Sequence, residues 1–247
     1  MTISLNAVLA KIDRRADRFA SSLSRRVYTL SLHNGVDGTH SLDAALAAQL
    51  LDYMWAAHEL GVAAARSARF SNKKKPNKDQ REAMREFYDS IARSASNKTM
   101  SQVRSKVQMS MKDLIDDKKN YRSHLKGLVA KSAPKHLIAT IERTTTSLAF
   151  NAATWAESYN DEDLWGYEIT TADDERVRAT HVPFNGVRYP KDDEFWSKYA
   201  PPNGWNCRCG MTPIYGRSRQ KMFKGIPEVD KAFRWNVGAM FVKKGSA

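Results

Sequence analysis

The residues of this 247-residue chain best suited to chemistry crowd into its last third: His181, the only two cysteines, Cys207 and Cys209, and the acidic runs Asp173-Asp174-Glu175 and Asp192-Asp193-Glu194. Thiolates and imidazoles are ligands for zinc, and a structural zinc site normally takes four of them. Here the candidates are three, His181, Cys207 and Cys209, because Asp192 and Asp193 are poor partners for a thiolate site. A Cys-x-Cys pair on an extended strand points its sulfurs to opposite faces, so both could reach one ion only through a tight turn at Arg208. The expectation is a chain without a cofactor, zinc being the one metal this trio suits. A thiol–imidazole nucleophile would need an orienting third group and an exposed, acidified thiol, and the spacing supplies neither.

The acidic runs could hold magnesium for nuclease chemistry. Arg176, Arg178, Arg188 and Lys191 sit beside them, however, and ion pairs that pin turns are the expected use. Glycine-rich phosphate loops and serine nucleophile elbows are absent. Tyr189, Phe195, Trp196, Tyr199 and Trp205 could stack bases, but a small β-rich module needs them as its core.

The elements that must position these groups differ in kind along the chain. Apolar residues at three-four spacing, Leu5, Leu9, Ile12, Ala16, Phe19, Leu23 and Leu30, predict a first long helix, ended by Asn34-Gly35 and Asp37-Gly38. Ser41 reads as the N-cap of a second helix through Leu42, Leu50 and Ala64. After a basic loop at Ser71–Lys78, Asn77 is expected to cap a third helix through Met84, Phe87 and Ile91. A fourth is expected through Met100, Val103, Val107, Leu114, Tyr121 and Leu128. Ser132-Ala133-Pro134 breaks that helix and starts another through Ile141, Leu148 and Trp155. Beyond Asn160 the texture turns aromatic and β-branched, with Leu164–Thr171 a predicted strand, a short helix at Phe195-Trp196 capped by Asp192, and glycines and prolines cutting the rest into turns. The fold class is therefore α+β: a helical region over residues 1–160 and a compact β-rich module over 161–247.

Charge is as uneven as secondary structure. The net charge of +13 resides almost wholly in residues 66–135, which hold 19 Lys and Arg against 7 Asp and Glu. Such a segment suits a polyanion or an acidic partner surface. Lys73, Lys74, Lys75, Lys78, Lys106, Lys118, Lys119 and Arg122 are the cations available to such a partner; were it double-stranded DNA, the contact would be non-specific. No apolar run approaches the length needed to cross a bilayer, and the N-terminus lacks the build of a secretion signal. With two cysteines a reducing compartment, a cytoplasm, is expected.

The order of short motifs is more specific than composition. Asp174, Arg176, Arg178 and His181 are followed by Asn185-Gly186, by Asp192-Asp193-Glu194-Phe195-Trp196, by Pro201-Pro202 and Gly204, and by Cys207-Arg208-Cys209. Together with Ile141–Thr144, Tyr167–Thr170 and Phe233–Gly238, this pattern is similar to that of the phage Mu F-like head morphogenesis family, the minor head proteins of tailed phages. The resemblance implies a non-enzymatic structural protein of the virion. It implies a place in the head interior or at the portal vertex, with the portal protein and the major capsid or scaffold proteins as partners and packaged DNA within reach. It marks Asp174, Arg176, Arg178, His181, Trp196, Pro201, Pro202, Cys207, Arg208 and Cys209 as the structural motif. Many relatives carry Cys where Arg178 and His181 stand and His where Gly204 stands, so a metal knot built as in those relatives would lack ligands here. Two rivals stand beside this reading: an enzyme, either a metal-dependent nuclease or an ADP-ribosyltransferase-like protein, and a free DNA-compacting protein.

Overall fold

The structure is a computed structural model that describes residues 18–19, 21–23, 25–31, 33, 36–68, 78–112, 123, 125–127, 135–222 and 229–242. Three long helices dominate: α1 (Ser41–Ser67), α2 (Lys78–Lys112) and α3 (Lys135–Ser158). A three-stranded antiparallel sheet follows, with β1 (Leu164–Thr170) between β2 (Val187–Pro190) and β3 (Gly210–Tyr215). A short helix, α4 (Phe195–Tyr199), lies between β2 and β3 in sequence. The α+β class read from the sequence is the class observed. No described helix is long and apolar enough to cross a membrane.

Several element boundaries differ from the sequence reading. Met84, Phe87 and Ile91 share one continuous helix with Met100, Val103 and Val107, so the expected third and fourth helices are one through Lys112. No glycine or proline interrupts that run, and its small polar residues cost little in a helix. Ser41 is the first residue of α1 and not its cap; a 3-10 turn over Val36–His40 leads directly into it. Asp193, not Asp192, bonds the start of α4, accepting from the Phe195 amide at 2.9 Å. The expected seam from Leu5 to Ala16, the cap at Asn77, and Leu114, Tyr121 and Leu128 lie outside the described residues.

Two cores meet at α3. The first joins Leu42, Leu46, Leu50 and Met54 of α1 to Met84, Tyr88 and Val103 of α2 and to Ile141, Leu148 and Phe150 of α3, with Leu23, Val27 and Leu125 added from the flanking segments. Gly61 allows α1 to lie close against α3, since a β-carbon there would stand 2.3 Å from the Phe150 carbonyl oxygen. The second core holds Tyr167, Ile169, Phe184, Val187, Phe195, Trp196, Cys207, Cys209 and Met211, and Trp155 of α3 belongs to it. Trp155 stacks on Tyr167 at 4.5 Å between ring centroids, and Trp196 closes edge-on against Tyr167 at 5.4 Å. The line between helices and sheet falls between Ser158 and Leu164, but side-chain packing runs across it.

A buried histidine lies in the helical core. The Nδ1 of His58 stands 3.3 Å from the Tyr88 hydroxyl, which donates to the Ala149 carbonyl at 3.2 Å. The Nε2 of His58 is buried without a hydrogen-bond partner among the described residues, which suits a bare lone pair and a neutral ring. Burial, aided by the Arg81 charge, lowers the His58 pKa to about 4. Between that value and the ordinary 6.5 the unfolded chain binds the proton and the folded chain does not. His58 therefore contributes full stability above pH 6.5 and loses it as pH falls toward 4. Urea titrations across that range should show a decline on the order of 3 kcal/mol from this group, and His58→Gln should flatten the slope.

Candidate functional site

The site grows from α3, a helix with an unusual share of buried polar residues: Thr144, Thr145, Thr146, Ser147, Asn151, Thr154 and Ser158 are all buried. Such side chains are tolerated inside a helix when their donors return to the preceding turn. Thr144 donates to the Thr140 carbonyl, Thr145 to Ile141, Thr154 to Phe150 and Ser158 to Thr154, at 2.7 to 2.9 Å. Their remaining capacity is directed outward. Thr144 Oγ1 accepts the Asn206 amide and Thr140 Oγ1 accepts the Asn206 side-chain amide, both at 3.0 Å. Asn151 ties helix to sheet: its Oδ1 accepts the Met211 amide at 2.8 Å, while its Nδ2 donates to Ser147 and to the Cys209 carbonyl.

On this platform lies the segment Pro201–Cys209. Pro201, Pro202, Asn203 and Gly204 are buried, and Asn203 donates to the Tyr199 carbonyl at 3.2 Å. Asn206 takes a left-handed backbone, φ 58°, and turns the chain back toward α3. Cys207, Arg208 and Cys209 precede β3 and are not part of it, so the strict alternation of a strand does not apply. Both sulfurs face the same imidazole, with Cys207 Sγ 3.7 Å and Cys209 Sγ 3.6 Å from His181 Nδ1. All three donor atoms lie within 4.8 Å of one another, and all three residues are buried. A hydrogen bond between the sulfurs separates their acidities: it holds Cys207 well below the ordinary thiol range and pushes Cys209 well above it. His181 itself is fixed edge-on against Phe184, with ring centroids 6.1 Å apart.

The arginines and acids of the motif form the outer layer. Arg208 makes a two-pronged bond to Asp174, with Nη1 to Oδ2 at 2.6 Å and Nη2 to Oδ1. That pairing holds the Asp174 carboxyl down at about 2. Arg176 reaches the same carboxylate at 3.9 Å. Arg178 donates to the Trp205 carbonyl oxygen and not to an acidic neighbour, as the sequence reading had expected. Gly204 leaves room for it, since a β-carbon would stand 3.1 Å from Arg178 Nη1. A cavity of about 70 Å³ lies between Arg176, Arg178, Asn206 and Arg208 and is floored by His181, Cys207 and Cys209.

The second acidic run is engaged in local structure. Asp192 accepts from the Tyr159 hydroxyl at 2.7 Å, Asp193 bonds the start of α4, and Glu194 pairs with Lys198 at 2.6 Å. Arg188 pairs with Glu168 across β1 and β2. Of the aromatic residues, Tyr189, Phe195 and Trp196 are buried, whereas Trp205 is 49% exposed and packs edge-on against Phe233. Asn151 and the threonine ladder were missed by sequence reasoning. The signal available was the run Thr144-Thr145-Thr146-Ser147 followed at helical spacing by Asn151, Thr154 and Ser158.

Of the residues expected to contact DNA, Lys78 and Lys106 are described; both are exposed, near opposite ends of α2 and about 42 Å apart along its axis. Lys73, Lys74, Lys75, Lys118, Lys119 and Arg122 lie outside the described residues. The charge of α2 is itself divided. Residues 78–89 hold four acids against three bases, whereas residues 90–112 hold five bases and no acid. Arg104 is bound to Asp43 and Arg93 to Asp89, which leaves Lys98 and Lys106, among the described side chains, as exposed cations of the basic half.

Comparison with known proteins agrees with the order of these motifs. Residues 105–212 match the family described as "Phage Mu protein F like protein". It is 32% identical over 123 residues to the "Putative capsid assembly protein F" of Escherichia phage Mu, a match covering 44% of this chain and 27% of that protein. It is 37% identical over 89 residues to the "Mu-like prophage FluMu F protein" of Haemophilus influenzae, covering 35% of this chain and 21% of that protein. The matched stretch thus spans about a quarter of these relatives' own lengths. No solved structure matches the chain. The matched residues 105–212 take in α3, β1, β2, the first half of β3 and the whole cluster around His181.

Removing the Asn151 side-chain amide would leave the buried Met211 N–H without its partner. Asn151→Ala should therefore lower stability by roughly 2–3 kcal/mol, read as a shift of the urea midpoint. An unchanged midpoint would show that α3 and β3 are held together by packing alone.

Proposed function

We propose that this chain is a structural protein of phage head assembly that docks at the portal or the inner head surface and touches packaged DNA without reading its sequence. The observation that carries the assembly role is the Mu F-like match over residues 105–212, shared with a phage Mu protein named for capsid assembly. The arrangement of the site supports a structural role over a catalytic one. Asp174 is bound to Arg208, and Asp192, Asp193 and Glu194 are bonded to Tyr159, Phe195 and Lys198. Carboxylates engaged in this way hold turns in place; a nuclease would present them together toward a metal and a phosphate. The partners are the portal protein and the major capsid or scaffold proteins, and the place of action is the virion after assembly in the host cytoplasm.

DNA contact is supported by the charge division of α2. A helix face with Lys98 and Lys106 exposed and no acid between residues 90 and 112 offers phosphates a one-sided potential. Lys118, Lys119 and Arg122 follow this half in sequence beyond Asp113, Asp116 and Asp117, Lys73, Lys74 and Lys75 precede the acidic half, and Lys78 sits among Asp79 and Glu82. Contact of this kind rests on counterion release and weakens steeply with salt.

Deleting the gene from its phage should stop head assembly, with the chain supplied in trans restoring it; normal heads without the chain would refute the assembly role. Lys98→Glu with Lys106→Glu should weaken binding to duplexes of any sequence and reduce the salt slope by about 2. Unchanged affinity would remove this helix from the DNA contact and leave the assembly role standing.

A further inference from the structure

We propose that His181, Cys207 and Cys209 are a binding site for a borderline-soft divalent cation, zinc by preference, with three protein ligands and a fourth position facing the cavity bounded by Arg176, Arg178 and Arg208. The inference goes beyond the assembly role and stands independently of it.

The geometry is that of a ligand set. A tetrahedral ion about 2.3 Å from sulfur and about 2.1 Å from nitrogen holds the two atoms about 3.6 Å apart. The observed sulfur–nitrogen separations are 3.7 and 3.6 Å, from both cysteines to the same nitrogen. Two thiols and an imidazole within 4.8 Å, all buried, match the donor types that select zinc over magnesium or calcium.

The surroundings are those of a metal's outer shell. The backbone around the cysteines is held by bonds of the kind that orient ligands from a second shell. The chain turns back between Cys207 N–H and the Gly204 carbonyl at 3.2 Å, and the backbone beyond is held to α3 through Asn206 and Asn151. The ligands are thus fixed by bonds that do not need the ion. The adjacent positive charges are already engaged, Arg208 by Asp174 and Arg178 by the Trp205 carbonyl. Bound to a dication, both sulfurs would be held as thiolates beside their counter-charge.

Three protein ligands leave one position open. Among the described residues no further His, Cys, Asp or Glu donor joins the group. The cavity of about 70 Å³ lies against it, larger than the roughly 30 Å³ a water occupies in the liquid. Water, or an anion favoured by the surrounding guanidinium groups, completes the tetrahedron. Binding displaces the thiol protons to solvent, so apparent affinity rises with pH.

The test uses the full chain produced in zinc-replete medium. Elemental analysis should find equimolar zinc, and a chelator should lower the melting temperature of the unaltered protein. Exchange for cobalt should give the sulfur-to-metal charge-transfer band and the intense visible bands of a tetrahedral site. Cys209→Ser should cut the charge-transfer intensity by about half, as expected for one sulfur lost of two; His181→Gln should weaken metal retention while keeping the band. Should the cysteine variant fail to fold, the cobalt spectrum and chelator shift of the unaltered protein still decide. Protein with less than a tenth of an equivalent of zinc, taking up no cobalt and with both thiols titratable or joined as a disulfide, would overturn the proposal. None of these readouts depends on head assembly.

Discussion

Much of the C-terminal half depends on a constraint set inside α3, where buried polar side chains are costly without partners: Thr144, Thr145, Asn151, Thr154 and Ser158 have them, whereas Thr146 Oγ1 has none among the described residues. A buried hydroxyl or amide without one costs as much as several favourable contacts return. The Thr and Ser residues meet half of this requirement by donating to their own helix, and that leaves oxygen acceptors facing outward. Those acceptors take the Asn206 amides, while Asn151 takes the amide of Met211 and bonds the carbonyl of Cys209. The segment that carries Cys207-Arg208-Cys209 is in this way specified by hydrogen-bond geometry. Apolar packing alone would let it slide.

The outer arginines follow from that placement. With residues 206–209 fixed on α3, Arg208 is delivered to Asp174, and the stretch from Asp174 to His181 is drawn over the cysteines. Arg178 closes the other side through the Trp205 carbonyl. The result is a rigid clasp whose one large exposed aromatic is Trp205. Rigidity of this kind suits a part that must present the same surface in each particle it enters, which is consistent with the proposed assembly role.

Much of this was legible in the sequence because its signals are local. The period of apolar residues gave α1 and α3, and the aromatic, β-branched stretch gave β1. The ordered motifs gave the resemblance to the Mu F-like family, which the match over residues 105–212 supports. The expected third and fourth helices are one, because nothing between Ile91 and Met100 breaks a helix and α2 continues through it. The convergence of Cys207 and Cys209 could not be read from spacing. It depends on the left-handed turn at Asn206 and on acceptors in α3, far away in sequence. Asn151 and the threonines were equally hidden, since buried polar residues carry no period that distinguishes them from an exposed face. Net charge located the basic segment but not its division along α2, which emerges only when the helix is known to be continuous.

The central claim is that this chain is a fixed part of the phage head and that its DNA contact is secondary. The most direct measurement is its abundance in heads assembled with and without DNA, by quantitative mass spectrometry against portal and major capsid proteins. The account predicts the same low, portal-scaled copy number in both, resistant to salt washing. Loss of the chain from empty heads, with binding to free DNA that fails at raised salt, would contradict it and make the protein a passenger on the packaged genome.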